Sequence, residues 1–138
     1  MFKFQVRSFK MITTSLTCNM LFRGIAAKVV SYEQLKQMIK DRAIQLYDVR
    51  QPEEMAKGKI PTSINIPLGQ LETALKMDVA TFLEIYKVQK PKKETIIVFQ
   101  CQTGVRSASA VEIAQNLGFS KACHYKGGYT EWAKREGH

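Results

Sequence analysis

The sequence predicts an α/β domain with a mainly parallel sheet, and three observations carry that expectation. Short apolar strands alternate with amphipathic helices from residue 29 to the C-terminus. The run Thr95-Ile96-Ile97-Val98-Phe99 is β-branched and continuously apolar, as a strand covered on both faces requires. Between that strand and the next helical pattern lies a short glycine-containing loop, the position where open α/β sheets gather functional groups.

The elements follow in order. Val29-Val30 predicts a short edge strand. Ser31-Tyr32-Glu33-Gln34 reads as a capping box, and the helix behind it should bury Tyr32, Leu35, Met38 and Ile39. Ile44 to Val49 is a strand ending in Asp48-Val49-Arg50. Pro52 suits a first helical turn, with Glu53 and Glu54 near its positive end. Ile60-Pro61 and Ile66-Pro67 bracket an extended piece, because a residue before proline is pushed out of the helical region. Leu68 to Leu75 predicts a helix with Leu71 and Leu75 inward. Another starts at Asp78, with Val79, Phe82, Leu83 and Tyr86 as its inner face. After Thr95–Phe99 and the loop, Ser107 to Leu117 predicts a helix burying Ala110, Val111, Ala114 and Leu117, stopped by Gly118. Ala122 to Tyr125 is a further strand, and Gly127-Gly128 turns into a last helix carrying Trp132.

The chain of 138 residues fits one domain. Its formal charge is +9, unevenly placed. Through Tyr32 there are five basic residues and no acid, whereas the rest holds 16 basic and 12 acidic residues. The excess therefore sits mostly in the leader, which argues against a nucleic-acid partner. No apolar stretch approaches the roughly 18 residues of a membrane span. Residues 1–27 are basic and acid-free, with Ser8, Thr13, Thr14, Ser15 and Thr17. That composition predicts a mitochondrial transit peptide, the alternative being a disordered N-terminus on a cytoplasmic protein. Residues 28–138 form the expected domain. Three cysteines, Cys18, Cys101 and Cys123, are too few and scattered for a disulfide framework or a zinc site.

The chemistry centres on Cys101-Gln102-Thr103-Gly104-Val105-Arg106-Ser107. Cys101 stands just past a buried strand and before a helix N-terminus, which offers unpaired N–H groups and partial positive charge. Such a loop can aim its amides inward as an anion nest, and a thiol placed there ionises readily. Arg106 adds a cation at the rim or braces the loop. A cysteine protease would need a histidine base, and only His124, on a strand, and His138, at the terminus, exist. A Cys-x5-Arg phosphatase or arsenate reductase is the serious rival. Here four residues, Gln102 to Val105, separate Cys101 from Arg106, a smaller cradle suited to the outer sulfur of a persulfide.

These residues resemble the rhodanese family of sulfurtransferases. The match runs from about Val29 to Lys134. Asp48-Val49-Arg50, Glu54, Gly58-Lys59-Ile60-Pro61 and Asn65-Ile66-Pro67 follow the family's second motif. Gly127-Gly128-Tyr129 with Trp132 follows its closing one. Leu71 to Met77 and the Phe82 to Tyr86 helix are most similar to short single-domain members. Lys59 stands where the family usually has histidine, Thr62-Ser63 replace Gly-Ala, and Tyr129 replaces a frequent tryptophan.

The resemblance implies a single rhodanese-like domain, with a five-stranded sheet flanked by helices. It implies Cys101 as persulfide carrier, with Gln102, Thr103, Gly104, Val105 and Arg106 binding the substrate. Asp48 and Arg50 support the site, Asp48 bonding loop amides and Arg50 pairing with Glu54. Thiosulfate is the implied donor, and glutathione, cyanide or a protein thiol the acceptor. No cofactor and no metal are implied. A non-catalytic binding module remains the alternative, since domains of this family also serve as scaffolds.

Overall fold

The computed structural model of the chain describes residues 29–138. The expected leader and Cys18 lie outside the described residues. Five strands form one sheet: β1 (Val29–Val30), β2 (Gln45–Asp48), β3 (Ile64–Asn65), β4 (Ile97–Gln100) and β5 (Ala122–Tyr125). Their spatial order is β1-β5-β4-β2-β3, and every pairing is parallel. β4 is central, with Tyr47 of β2 opposite Phe99 and Val98 opposite Cys123 of β5. Parallel neighbours need crossover connections, which the helices supply. These are α1 (Tyr32–Lys40), α2 (Pro52–Met55), α3 (Leu68–Lys76), α4 (Val79–Tyr86), α5 (Val105–Asn116) and α6 (Gly128–Glu136).

Side chains alternate across a strand, so the sheet divides the core in two. Tyr47, Ile97, Phe99 and Ala122 join Leu71, Leu75, Phe82, Ala110 and Ala114 from α3, α4 and α5. Leu46, Val98, Cys123 and Tyr125 join Leu35, Met38 and Trp132 from α1 and α6 on the opposite face. Cys123 is buried here as filler, its thiol donating to the Ile97 carbonyl at 3.5 Å.

The local signals act as the residues dictate. Ser31 Oγ accepts from the Gln34 amide at 3.1 Å and Gln34 Oε1 accepts from the Ser31 amide at 2.9 Å, closing the capping box of α1. Asp78 caps α4 by accepting from the Thr81 amide at 3.1 Å. Gly118 ends α5 with φ +95°. Two expectations are corrected. On α4 only Phe82 and, in part, Tyr86 face the core, while Val79 and Leu83 are 64% and 44% exposed. A helix held to the core through one residue per turn buries a narrower stripe than its apolar spacing suggests. α5 begins at Val105 rather than Ser107, because Gly104, at φ +99°, turns the chain directly into the helix.

Candidate active site

The carboxyl ends of β4 and β2 hold the residues that the sequence singled out. β4 closes at Gln100, and Cys101 follows at once, 1% exposed. The chain then turns through Gln102 and Thr103 to Gly104, and the amides of α5's first turn face back toward the sulfur. Gly104 N–H points at Cys101 Sγ from 3.1 Å and Ser107 N–H from 3.4 Å, with Ser107 Oγ at 3.6 Å. Burial pushes the Cys101 thiol up. Bonds from the Ser107 hydroxyl and the Ser107, Gly104 and Thr103 amides outweigh it, and the thiol ionises below its ordinary value. Gly104 is required twice over: its φ is +99°, and a Cβ there would meet the Lys126 carbonyl oxygen at 2.5 Å.

The loop is supported from behind by α6. Tyr129 N–H donates to the Cys101 carbonyl at 2.8 Å and Thr130 N–H to that of Gln102 at 3.2 Å. Gly128, at φ +67°, brings its backbone so close that a Cβ would lie 2.4 Å from the Gln102 oxygen. This gives the Gly-Gly-Tyr motif its physical meaning: the free amides of a helix N-terminus capture the carbonyls of the cysteine loop.

The Asp48 and Arg50 pair is corrected in one partner. Asp48 does bond a loop amide, that of Arg50 just past β2, which donates to its Oδ1 at 2.9 Å; its Oδ2 accepts from Arg50 Nη2 at 2.7 Å, so it is Arg50 that has a different partner from the one expected. Both side chains are buried. Arg50 turns back onto Asp48 and makes no ion pair with Glu54, on which it acts only through its charge. It stacks on the Tyr129 ring at 4.8 Å and donates to the Gly58 carbonyl at 2.9 Å and to Gln102 Oε1 at 3.1 Å. Asn65 Nδ2 fixes the same turn through the carbonyls of Asp48 and Arg50, at 3.0 and 2.8 Å.

Glu54 pairs instead with Arg106, through contacts of 2.7 and 2.9 Å. The Arg106 guanidinium holds the Glu54 carboxyl down at about 2. Of the expected substrate-binding residues, Gln102 is tied through its side chain to Arg50 and Thr130. Thr103 is exposed, Gly104 is buried, and Val105 is 74% exposed on the rim. Ser107 and His124 are the residues that sequence reasoning passed over. Ser107 is fully buried against the sulfur, and His124 Nδ1 lies 2.9 Å from its hydroxyl. The signal for Ser107 was its place one helical turn beyond Gly104; strand alternation was the signal for His124. Among the described residues, no three His, Cys, Asp or Glu side chains gather into a possible metal site. No helix there is long and apolar enough to cross a membrane.

A cysteine whose sulfur sits in an amide cradle at the carboxyl end of a parallel sheet, with its ionisation favoured by those amides, defines a cysteine-based group-transfer domain. Residues 31–135 match the rhodanese-like domain, and the chain belongs to that family. It is 41% identical over 111 residues to the human "Thiosulfate:glutathione sulfurtransferase", covering 80% of this chain and 96% of that one. It is 46% identical over 110 residues to the mouse "Thiosulfate sulfurtransferase/rhodanese-like domain-containing protein 3", covering 79% and 70%. A relative from Saccharomyces cerevisiae, "Thiosulfate sulfurtransferase RDL2, mitochondrial", is 32% identical and covers 84% and 79%. Among solved structures, the human single-domain sulfurtransferase TSTD1 superposes with a TM-score of 0.76 at 40% identity, covering 78% and 96%.

Proposed function

We infer that the chain is a thiosulfate sulfurtransferase that carries sulfur as a persulfide on Cys101. The observation that carries this reading is the sulfur's setting: Gly104 and Ser107 amides aimed at Sγ from 3.1 and 3.4 Å. In the first half-reaction the Cys101 thiolate attacks the outer sulfur of thiosulfate. The S–S bond of thiosulfate breaks, sulfite leaves with the bonding pair, and Cys101–S–S⁻ remains. In the second, an acceptor thiolate attacks that outer sulfur and the Cys101 thiolate departs. Neither half needs a base in contact with sulfur once the thiol is ionised. The backbone of Gln102 to Arg106 supplies the cradle for the incoming sulfur, with Asp48 and Arg50 holding its flank.

The phosphatase alternative is disfavoured by geometry as well as loop length. Arg106 is turned outward onto Glu54 rather than into the loop. Glutathione is the acceptor we favour, in line with the name of the human relative. A mitochondrial location is favoured by the composition of residues 1–27 and the name of the yeast relative.

The test is mass spectrometry of Cys101 after exposure to thiosulfate. A gain of one sulfur atom on that residue, released by glutathione, is expected. No gain on folded protein would leave the scaffold reading in its place.

A further inference from the structure

Ser107 Oγ stands at the meeting point of three contacts: 3.6 Å to Cys101 Sγ, 2.9 Å to His124 Nδ1 and 3.2 Å to the Gly104 carbonyl. The sulfur and the hydroxyl are shut away from solvent, and the imidazole is the member of the chain that retains some exposure. Cys101 is 1% exposed and Ser107 0%, while His124 keeps 8%. His124 reaches this place because it sits on β5 opposite Phe99, on the sheet face that α5 covers.

A hydroxyl has one proton to give and two lone pairs. When Cys101 is a thiol, S–H donates to Ser107 Oγ, and O–H has two acceptors, the Gly104 carbonyl at 3.2 Å and His124 Nδ1 at 2.9 Å; in the relay it takes the nearer, which requires the imidazole proton on Nε2. When the sulfur is a thiolate or a persulfide anion, it can only accept. The Ser107 proton then turns to the sulfur, and the vacated lone pair on Oγ calls for a proton on Nδ1. The charge on sulfur therefore sets the direction of both bonds and the tautomer of the ring.

We propose that His124 is a positioning residue for sulfur transfer, whose Nδ1–H locks the Ser107 hydroxyl onto the charged sulfur and whose ring passes the thiol proton outward. The role rests on the sulfur-transfer reading of Cys101. The proton balance is closed: the thiol proton moves to Oγ, the Oγ proton moves to Nδ1, and the Nε2 proton leaves to water. The ring begins and ends neutral. No bond to sulfur other than S–H is broken.

The charges around the relay favour this. Burial, with Lys126 two residues along the chain, holds His124 below the ordinary imidazole value, so the ring is neutral at neutral pH. A neutral ring is the one that can exchange tautomers. Arg106, turned onto Glu54 at the rim, is coupled to Cys101 only through its charge. The buried Asp48–Arg50 pair closes the end of β2, and β1 meets His124 with the uncharged Val29.

Two measurements test the relay. The chain has two histidines, so a His138→Gln protein leaves one imidazole for nitrogen NMR. The Nδ1 of His124 is expected to be protonated in the thiosulfate-treated enzyme. In Cys101→Ser, whose hydroxyl donates as a thiol does, Nε2 should carry the proton. The same tautomer in both overturns the proposal. Should thiosulfate load no sulfur, the sulfur-transfer reading falls; untreated enzyme held above the alkylation midpoint of Cys101, compared with Cys101→Ser, still decides the relay. The second measurement is the pH profile of Cys101 alkylation by iodoacetamide. In His124→Leu the midpoint should rise by about one unit, a tenfold loss of thiolate below it. His124→Asn, which keeps a donor near Nδ1, should recover most of that shift. Adding His124→Leu to Ser107→Ala should change nothing further. An unshifted His124→Leu, or additive effects in the double variant, overturns the role. If His124→Leu fails to fold, the NMR comparison decides alone.

Discussion

Arg106 and Glu54 lie 52 residues apart in the chain and form a two-point ion pair, with contacts of 2.7 and 2.9 Å, on the rim of the cysteine loop. The pair ties the first turn of α5 to α2. About a third of each side chain is exposed, so its contribution to stability stays under about 1 kcal/mol. Arg106→Ala should raise the KM for thiosulfate about fivefold, since a cation near a dianion site is lost. Glu54→Gln keeps the cation and frees it. If the charge matters, Glu54→Gln lowers KM; if bracing matters, both variants raise it. The sign of the pH effect follows from the carboxyl held at about 2. Its folded-state value is depressed, so its stabilisation is present above the ordinary carboxylate range and is lost as pH falls through that range toward 2. In Glu54→Gln, acid unfolding followed by circular dichroism should lose this component.

Cys101→Ser is expected to abolish sulfur transfer and leave the fold intact. The hydroxyl is similar in size and is not ionised at neutral pH. Wild-type kinetics should be ping-pong, with parallel double-reciprocal lines for donor and acceptor, because sulfur rests on the protein between the halves. Thiosulfate-dependent turnover in the serine variant would remove Cys101 from its role.

Gly128→Ala places a methyl group 2.4 Å from the Gln102 carbonyl and 2.6 Å from that of Cys101, at φ +67°. Both obstacles are backbone, so the loop itself must shift. A stability loss of about 1–3 kcal/mol is expected from the backbone conformation alone. Turnover should fall by more than the folded fraction explains. Urea unfolding with kcat on the same preparation measures both, and a variant of wild-type kcat would show that α6 does not shape the loop.

A glycine inserted after Thr103 lengthens the Cys101 to Arg106 interval to the phosphatase spacing. Val105 already begins α5, so the extra residue must widen the turn held by Gly104. Losing one pre-aimed amide costs on the order of 3 kcal/mol in the transition state, a fall in turnover of about two orders of magnitude. Phosphate or arsenate binding should rise. A folded insertion variant working at the wild-type rate would mean that loop length does not select the substrate.

Much of the fold was legible because its signals are local. Ser31 and Gln34 are three residues apart, and the apolar run of β4 announces a central strand without reference to anything else. The start of α5 was misplaced by two residues because Gly104 caps it without a side chain, leaving no Ser, Thr or Asp to mark the turn. The inner face of α4 was drawn too wide because periodicity does not say how much of a helix its neighbours cover. Cys101 and its loop stood out as contiguous residues. The pairings of Arg50, Glu54 and Arg106, and the approach of His124 to Ser107, are contacts between distant segments that only the assembled sheet creates.

The near-complete burial of Cys101 has a consequence for selectivity by reach. The resting sulfur lies flush within its loop, 1% exposed, so a donor must present its transferable atom on a slender tip, as thiosulfate does. After transfer, the outer sulfur stands one S–S bond farther from the backbone, roughly 2 Å. The acceptor needs to touch only that atom. On the proposed cycle the two halves therefore impose unequal steric demands, the donor half the narrower of the two.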